Sequence, residues 1–398
     1  MKRVSLRAGW KRNGFVRAAG FMAATVALAT LLTATTATAA DDLWVLVGTY
    51  TRGNDGGIHV LKFDPETAKL TKHGVASIDN PSFVAVHPSE KFVYSVAEVA
   101  TFDGKRGGAV AAFSFDAKSG TLTKLNHSST IGAGPCHLVV DHSGRYVLAA
   151  NYGGGSVVVL PIDKAGKVGR ATSFVQHVGS SVNERRQKAP HAHSINLDPT
   201  NQFAVAADLG VDKVFVYRLN GRNGTLTDAP AAFGKVAPGS GPRHFAFHPS
   251  GRFGYVINEL ALTVTAFAFD STTGELAEIQ TISTLPPGTE KQGSTAEVRV
   301  HPSGKFLYGS NRGHDSIVVY SIDQNTGELT YVENEPTQGS TPRNFFVEPS
   351  GRFLFAENQQ SGTIVVLKID QQTGALSPTG NSIEVPSPVC IRTIPVQK

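Results

Sequence analysis

Three short stretches of the chain hold the residues best equipped for chemistry: PHAHS at 190–194, GPRH at 241–244 followed by NEL at 258–260, and NRG at 311–313. They supply His193, Arg243, Glu259 and Arg312. A carboxylate set among guanidiniums in a concave, partly dry mouth makes an anion pocket and perturbs the pKa values of its own groups. An imidazole in the same place adds a group that can give or take a proton near neutral pH. These four residues lie far apart along the chain, so their meeting depends on the architecture between them.

That architecture is repetitive. The segment Thr326-Gly327-Glu328-Leu329 has counterparts ending at Leu70, Leu122, Val168, Leu226, Leu276 and Leu376. Each follows a β-branched or aromatic run such as IVVYSID or VTAFAFD, which reads as strand, Gly-bearing turn, strand. A second repeat alternates with the first, as in PSFVAVHPSEKFVYSVAE, GPRHFAFHPSGRFGYVINEL and TAEVRVHPSGKFLYGSNRG, and a partial copy, SPVCIRTIP, closes the chain. Two hairpins per unit of about 50 residues predict a four-stranded blade. Seven units predict an all-β, seven-bladed β-propeller over residues 41–398. Because the first blade opens on its second strand, DLWVLVGTY, the unpartnered segment from Ser387 to Pro395 is expected to complete it and remove the open edge.

Repetition also separates scaffold from chemistry. His87, His248 and His301 recur at one place on the hairpin turn and are read as structural, with Pro and Gly shaping the turn beside them. Counting each inner strand from its opening Pro, the first position varies instead: Ser82, Cys136, His193, Arg243, Ala296, Arg343 and Val389. The next includes His137, His244 and Glu297. The partner strand of each hairpin ends in Glu98, Tyr152, Leu209, Glu259, Arg312 or Gln359, preceded by Asn151, Asp208, Asn258, Asn311 or Asn358. The start of one antiparallel strand meets the end of the other, so the varied polar positions gather at one mouth of the central channel. The Asn and Asp residues are expected to cap loops. His193, Arg243, Glu259 and Arg312 are assigned to function, with His191, His244 and Arg343 as neighbours in substrate binding.

The first forty residues read as a secretory signal peptide: six Lys and Arg, the apolar run Phe21 to Leu32, then small residues to Ala40. That run is too short for a membrane span. With the leader set aside, the remaining Lys and Arg number one fewer than the Asp and Glu. The high pI therefore belongs to the leader, and neither nucleic acid nor an anionic membrane is expected as a partner. A periplasmic or secreted monomer follows, with no membrane span after cleavage. Cys136 and Cys390 begin inner strands two blades apart, so they are expected to stay unpaired. No metal or other cofactor is assigned, since His191 and His193 alone would make a weak site.

The segments NERRQKAPHAHSINLDP, GPRHFAFHPSGRFGYVINEL and the NRG after FLYGS resemble the lactonase family of seven-bladed propellers. That family includes cycloisomerase-like 6-phosphogluconolactonases and the fungal carboxymuconate cycloisomerase. The resemblance covers essentially the whole chain after the leader and implies that His193, Arg243, Glu259 and Arg312 form the active site. It implies hydrolysis of a small-molecule sugar lactone, a chemistry in which these side chains would serve with Glu259 as general base, His193 as acid, and the two arginines on the oxyanion or a substrate anion. Two alternatives stay open: the family's cycloisomerase chemistry, and a non-catalytic propeller that docks a partner at the mouth. No GxSxG elbow, HExxH, P-loop or strand-borne GxGxxG is present to suggest another mechanism.

Overall fold

Stretches such as FAVAAD, YVLAAN and FGYVIN carry apolar residues at successive positions, a pattern that suits a strand covered on both faces. In the computed structural model, which describes residues 41–51, 56–290 and 292–397, these are the second strands of blades stacked face to face. The signal-peptide reading of residues 1–40 lies outside the described residues. Seven sheets of four antiparallel strands form the ring, together with a two-stranded ribbon, Thr101–Phe102 with Lys105–Arg106, inserted in the second blade. Among the described residues every regular element is a strand, and no helix is long and apolar enough to cross a membrane.

Closure follows the expected route. Pro388–Pro395 pairs antiparallel with Leu43–Thr49, from Leu43 opposite Pro395 to Thr49 opposite Pro388, and Ile58–Asp64 and Lys69–Ala76 complete that blade. The inner strands then succeed one another around the channel: Pro388–Pro395, Val84–Val86, Pro135–Val140, Ala192–Leu197, Pro242–Phe247, Ser294–Val300 and Pro342–Val347. Cys136 and Cys390 are both free and buried, with Cys136 against the His193 carbonyl and Cys390 against Val84.

The recurring histidines fasten neighbouring blades. Nε2 of His87, His248 and His301 lies 2.9 Å from the carbonyl oxygen of Gly144, Gly304 and Gly351 respectively, each in the turn of the next blade. A carbonyl only accepts, so Nε2 carries the proton and Nδ1 is left to accept from the hydroxyl and amide of Ser89, Ser250 or Ser303. Gly304 shows why the turn needs glycine: its φ is +74°, and a Cβ there would sit 2.6 Å from the His248 ring. Seven residues after each His stands a buried tyrosine with a parallel task. Tyr94, Tyr255 and Tyr308 donate to the carbonyls of Gly166, Gly327 and Gly374 in the next blade's outer hairpin. Where the equivalent turn position is acidic, Asp141, Asp198 and Glu348 collect the turn's own N–H groups.

Two outcomes test this frame. Deleting Ser387 to Lys398 withdraws an inner strand, so thermal unfolding should remain a single transition displaced downward. A truncated protein that melts with the parent would show that the ring does not depend on this pairing. His248→Ala removes one of the two donors to the Gly304 carbonyl, the other being Gln324 Nε2, and should cost about 0.5–1.5 kcal/mol in urea denaturation, the usual worth of one hydrogen bond.

Candidate active site

The inner strands do not run straight into the channel mouth. In blade four Ala192 lies opposite Asp208 and Ser194 opposite Ala207, so His193 is an extra residue with no partner across the ladder. The same slip leaves Cys136, Arg243 and Arg343 unpaired in blades three, five and seven. In blade six the slip falls between Thr295 and Val298. A bulge bends its strand and re-aims the extra side chain, so one backbone irregularity delivers the variable position to the mouth in blades three, four, five and seven. The Asn and Asp residues hold the partner strands in place from complete burial: Asn151, Asn311 and Asn358 donate to the carbonyls of Thr130, Thr284 and Thr337. Asn258 reaches the hydroxyls of Thr263 and Thr265, and Asp208 accepts the amides of His191 and Gly210.

Glu259 is the centre of this mouth. Its Oε2 lies 3.0 Å from Arg243 Nε and 3.0 Å from an Arg312 terminal nitrogen, while Oε1 takes a 2.7 Å hydrogen bond from Arg186. The carboxylate is only 4% exposed and Arg243 2%, so each needs the other to be tolerated away from water. Arg243 also donates to the Ala296 carbonyl, which ties blade five to blade six, and Arg312 to that of Thr295 within blade six. Burial alone would push the Glu259 carboxyl up, but Arg312, Arg243 and Arg186 together outweigh it and hold it well below the usual carboxylate range. Burial, then the like charge of Arg243, pushes Arg312 down to about 10.

His193 is buried beside this cluster, with Nδ1 3.7 Å from Cys136 Sγ and its ring 5.2 Å from those of Tyr152 and His244. Burial and then Arg243 hold its pKa well below the ordinary imidazole value, so it is neutral at pH 7. His193, Arg243, His244 and Arg343 line one narrow cavity with Tyr50, Ser82 and Cys136. His244 is shared with a second cavity of about 350 Å³ that also touches His137, Glu297, Arg299 and Arg392, and its Nδ1 lies 3.2 Å from Glu297 Oε2. Arg343 donates to the Tyr50 hydroxyl at 3.0 Å. His191 stands on the flank, stacked on Tyr152 at 4.6 Å with Nδ1 on the Tyr152 carbonyl, and does not line the cavity of His193 and Arg243. Among the described residues no group of three or more His, Cys, Asp or Glu is placed to hold a metal.

Two participants escaped the reading of the repeats. Arg186 belongs to NERRQKAP, an insertion between blades with no counterpart elsewhere in the chain, and Tyr50 follows Leu43–Thr49, the strand on which the ring-closing strand pairs. The only sequence signal for Arg186 was the non-repeating run itself.

The family described as a seven-bladed β-propeller lactonase matches residues 44–393. A 6-phosphogluconolactonase of Bacillus subtilis is 39% identical over 347 residues, 87% of this chain and 97% of the relative. A 6-phosphogluconolactonase of Formosa agariphila is 38% identical over 76% of this chain and 86% of its own length. The solved structure of a periplasmic gluconolactonase from Pseudomonas aeruginosa superposes with a TM-score of 0.84 at 34% identity, covering 89% of this chain and all of that one. With this match along nearly the whole ring, the chain belongs to the lactonase family of seven-bladed β-propellers.

Proposed function

We propose that this protein hydrolyses aldono-1,5-lactones of the gluconolactone class, outside the cytoplasm, at the mouth where His193, Arg243, Glu259 and Arg312 meet. The observation that carries the reading is the buried Glu259 carboxylate gripped by three guanidiniums beside a neutral imidazole, in a chain of this family. The names of the relatives supply the substrate class. The leader-like first forty residues and the periplasmic relative favour an unphosphorylated lactone, since phosphorylated sugar lactones arise in the cytoplasm.

Opening a lactone requires an activated water, a home for the tetrahedral oxyanion and a proton for the departing ring oxygen. Sequence reasoning made Glu259 the base and His193 the acid. The electrostatics of the mouth favour the opposite duty for His193. Both groups are held below their usual ranges, but both Glu259 oxygens are already engaged by guanidiniums, whereas the neutral imidazole keeps one lone pair. In this scheme His193 Nε2 takes the proton of the attacking water. Arg243 and Arg312 receive the oxyanion and then the product carboxylate through their planar donor forks. Glu259 keeps the two guanidiniums apart and aimed.

The purified chain should open glucono-1,5-lactone faster than buffer does, undiminished by EDTA. A rate equal to buffer with both the lactone and its 6-phosphate would favour the docking reading. His193→Gln should lower kcat by about 10²–10⁴ with KM little changed, the loss expected for a positioned proton acceptor. Glu259→Gln should lower kcat and raise KM together, because the arginines lose their anchor. Since burial depresses the His193 pKa, the base stays deprotonated through the ordinary imidazole range of about 6.5. Activity should therefore survive acidification through that point and fall only below it.

A further inference from the structure

The mouth holds a second carboxyl group in an environment opposite to that of Glu259. We infer that Glu98 supplies, through the Ser82 hydroxyl, the proton that the departing ring oxygen requires. This rests on the hydrolytic reading and completes it, because His193 as base leaves the donor unassigned.

Glu98 follows the second strand of blade two, Phe92–Ala97, at the place that Glu259 occupies in blade five. Its oxygens meet hydroxyl groups rather than guanidiniums. Oε2 touches Ser82 Oγ in a very close hydrogen bond and lies 2.9 Å from the Tyr50 hydroxyl, which is 3.1 Å from Oε1. The nearest arginine connection runs through Tyr50, whose oxygen accepts from Arg343 and whose proton is then free to go to Glu98. Salt bridges among the described residues include Glu259 three times and Glu98 not at all. The charged and titratable groups that face Glu98 are Tyr50 from the closing blade, Arg343 from blade seven, Arg243 from blade five and Cys136 from blade three. Burial, opposed by Ser82 and Arg343, raises its pKa above the ordinary carboxyl value. Burial likewise keeps Tyr50 a phenol and Cys136 a thiol.

Burial with no guanidinium in contact favours the protonated carboxyl, which alone can donate to Ser82. Ser82 and Tyr50 line the cavity of His193 and Arg243. An alkoxide leaving from a sugar ring is a far stronger base than a carboxylate, so the bond to it breaks readily only as a proton arrives. The full cycle then balances. Water adds to the lactone carbonyl as His193 takes its proton, and the oxyanion forms on the arginines. The carbonyl carbon to ring oxygen bond breaks while the Ser82 proton moves to that oxygen and the Glu98 proton moves to Ser82. The proton on His193 returns to Glu98 through solvent, and the product leaves as its carboxylate with one proton released.

Glu98→Gln preserves size and the contacts to Ser82 and Tyr50 but has no acidic proton. On glucono-1,5-lactone it should lower kcat by about 10²–10³ with KM within a few-fold, as for a lost general acid. It should also abolish the decline in kcat that the parent shows as rising pH ionises Glu98 above the usual carboxyl range. Ser82→Ala should reproduce the fall in kcat. Parental turnover in a folded Glu98→Gln would overturn the inference while leaving the hydrolytic reading intact. Failure of the parent itself to open lactones would instead remove that reading. Should Glu98→Gln not fold, Ser82→Ala decides: parental kcat rejects the proton path, and a loss on the predicted scale supports it.

Discussion

A ring of stacked sheets cannot lack any one of its inner strands, because together they line the channel. The mouth is assembled from seven of these strands, each from a different part of the chain, so its geometry exists only when the last of them is seated. Pro388–Pro395 meets that demand by pairing with Leu43–Thr49 across the whole length of the sequence. The pairing also brings Tyr50, immediately beyond the first strand, against Glu98 of the next blade and Arg343 of the previous one. Closure of the fold and completion of the site are thus a single event.

The electrostatics of the mouth follow from burial. Arginine and glutamate cannot be removed from water singly at tolerable cost, and the channel offers no bulk solvent to neutralise them. Arg243 and Glu259 solve this mutually, with Arg312 and Arg186 completing the cluster. Glu98, with hydroxyls as its contacts, is displaced in the other direction. Two residues of one type at corresponding ends of corresponding strands therefore acquire opposite proton affinities from their neighbours alone, a division of labour seen wherever paired carboxyl groups share a reaction.

Much of this was readable in the chain before any coordinates. The blade count, the closing strand and the scaffold histidines all follow from periodicity, because a repeat exposes what folding requires seven times over. His193, Arg243, Glu259 and Arg312 emerged as departures from that repeat at fixed strand positions. What periodicity could not reveal was geometry that breaks it. The bulge that leaves His193 and Arg243 unpaired changes no residue type and only a register. Arg186 lies in a unique insertion, and Glu98 was visible at its strand end without its partners, since Tyr50 reaches it only across the closed ring. His191, close in sequence to His193, stacks on the Tyr152 ring that His193 meets edge-on, and stays outside the cavity that His193 lines, with the bulge at His193 between them.

The His-to-Gly fastenings lie at the turn end of the inner strands, whereas the polar constellation lies at the opposite end. Cohesion and chemistry are thereby separated along the axis of the disc. Changes at the mouth leave the fastenings untouched, so a lineage can exchange the position-one residues of individual blades, explore new small molecules and retain a frame that still assembles. Such a division makes the propeller a scaffold on which specificity can drift at modest risk to folding.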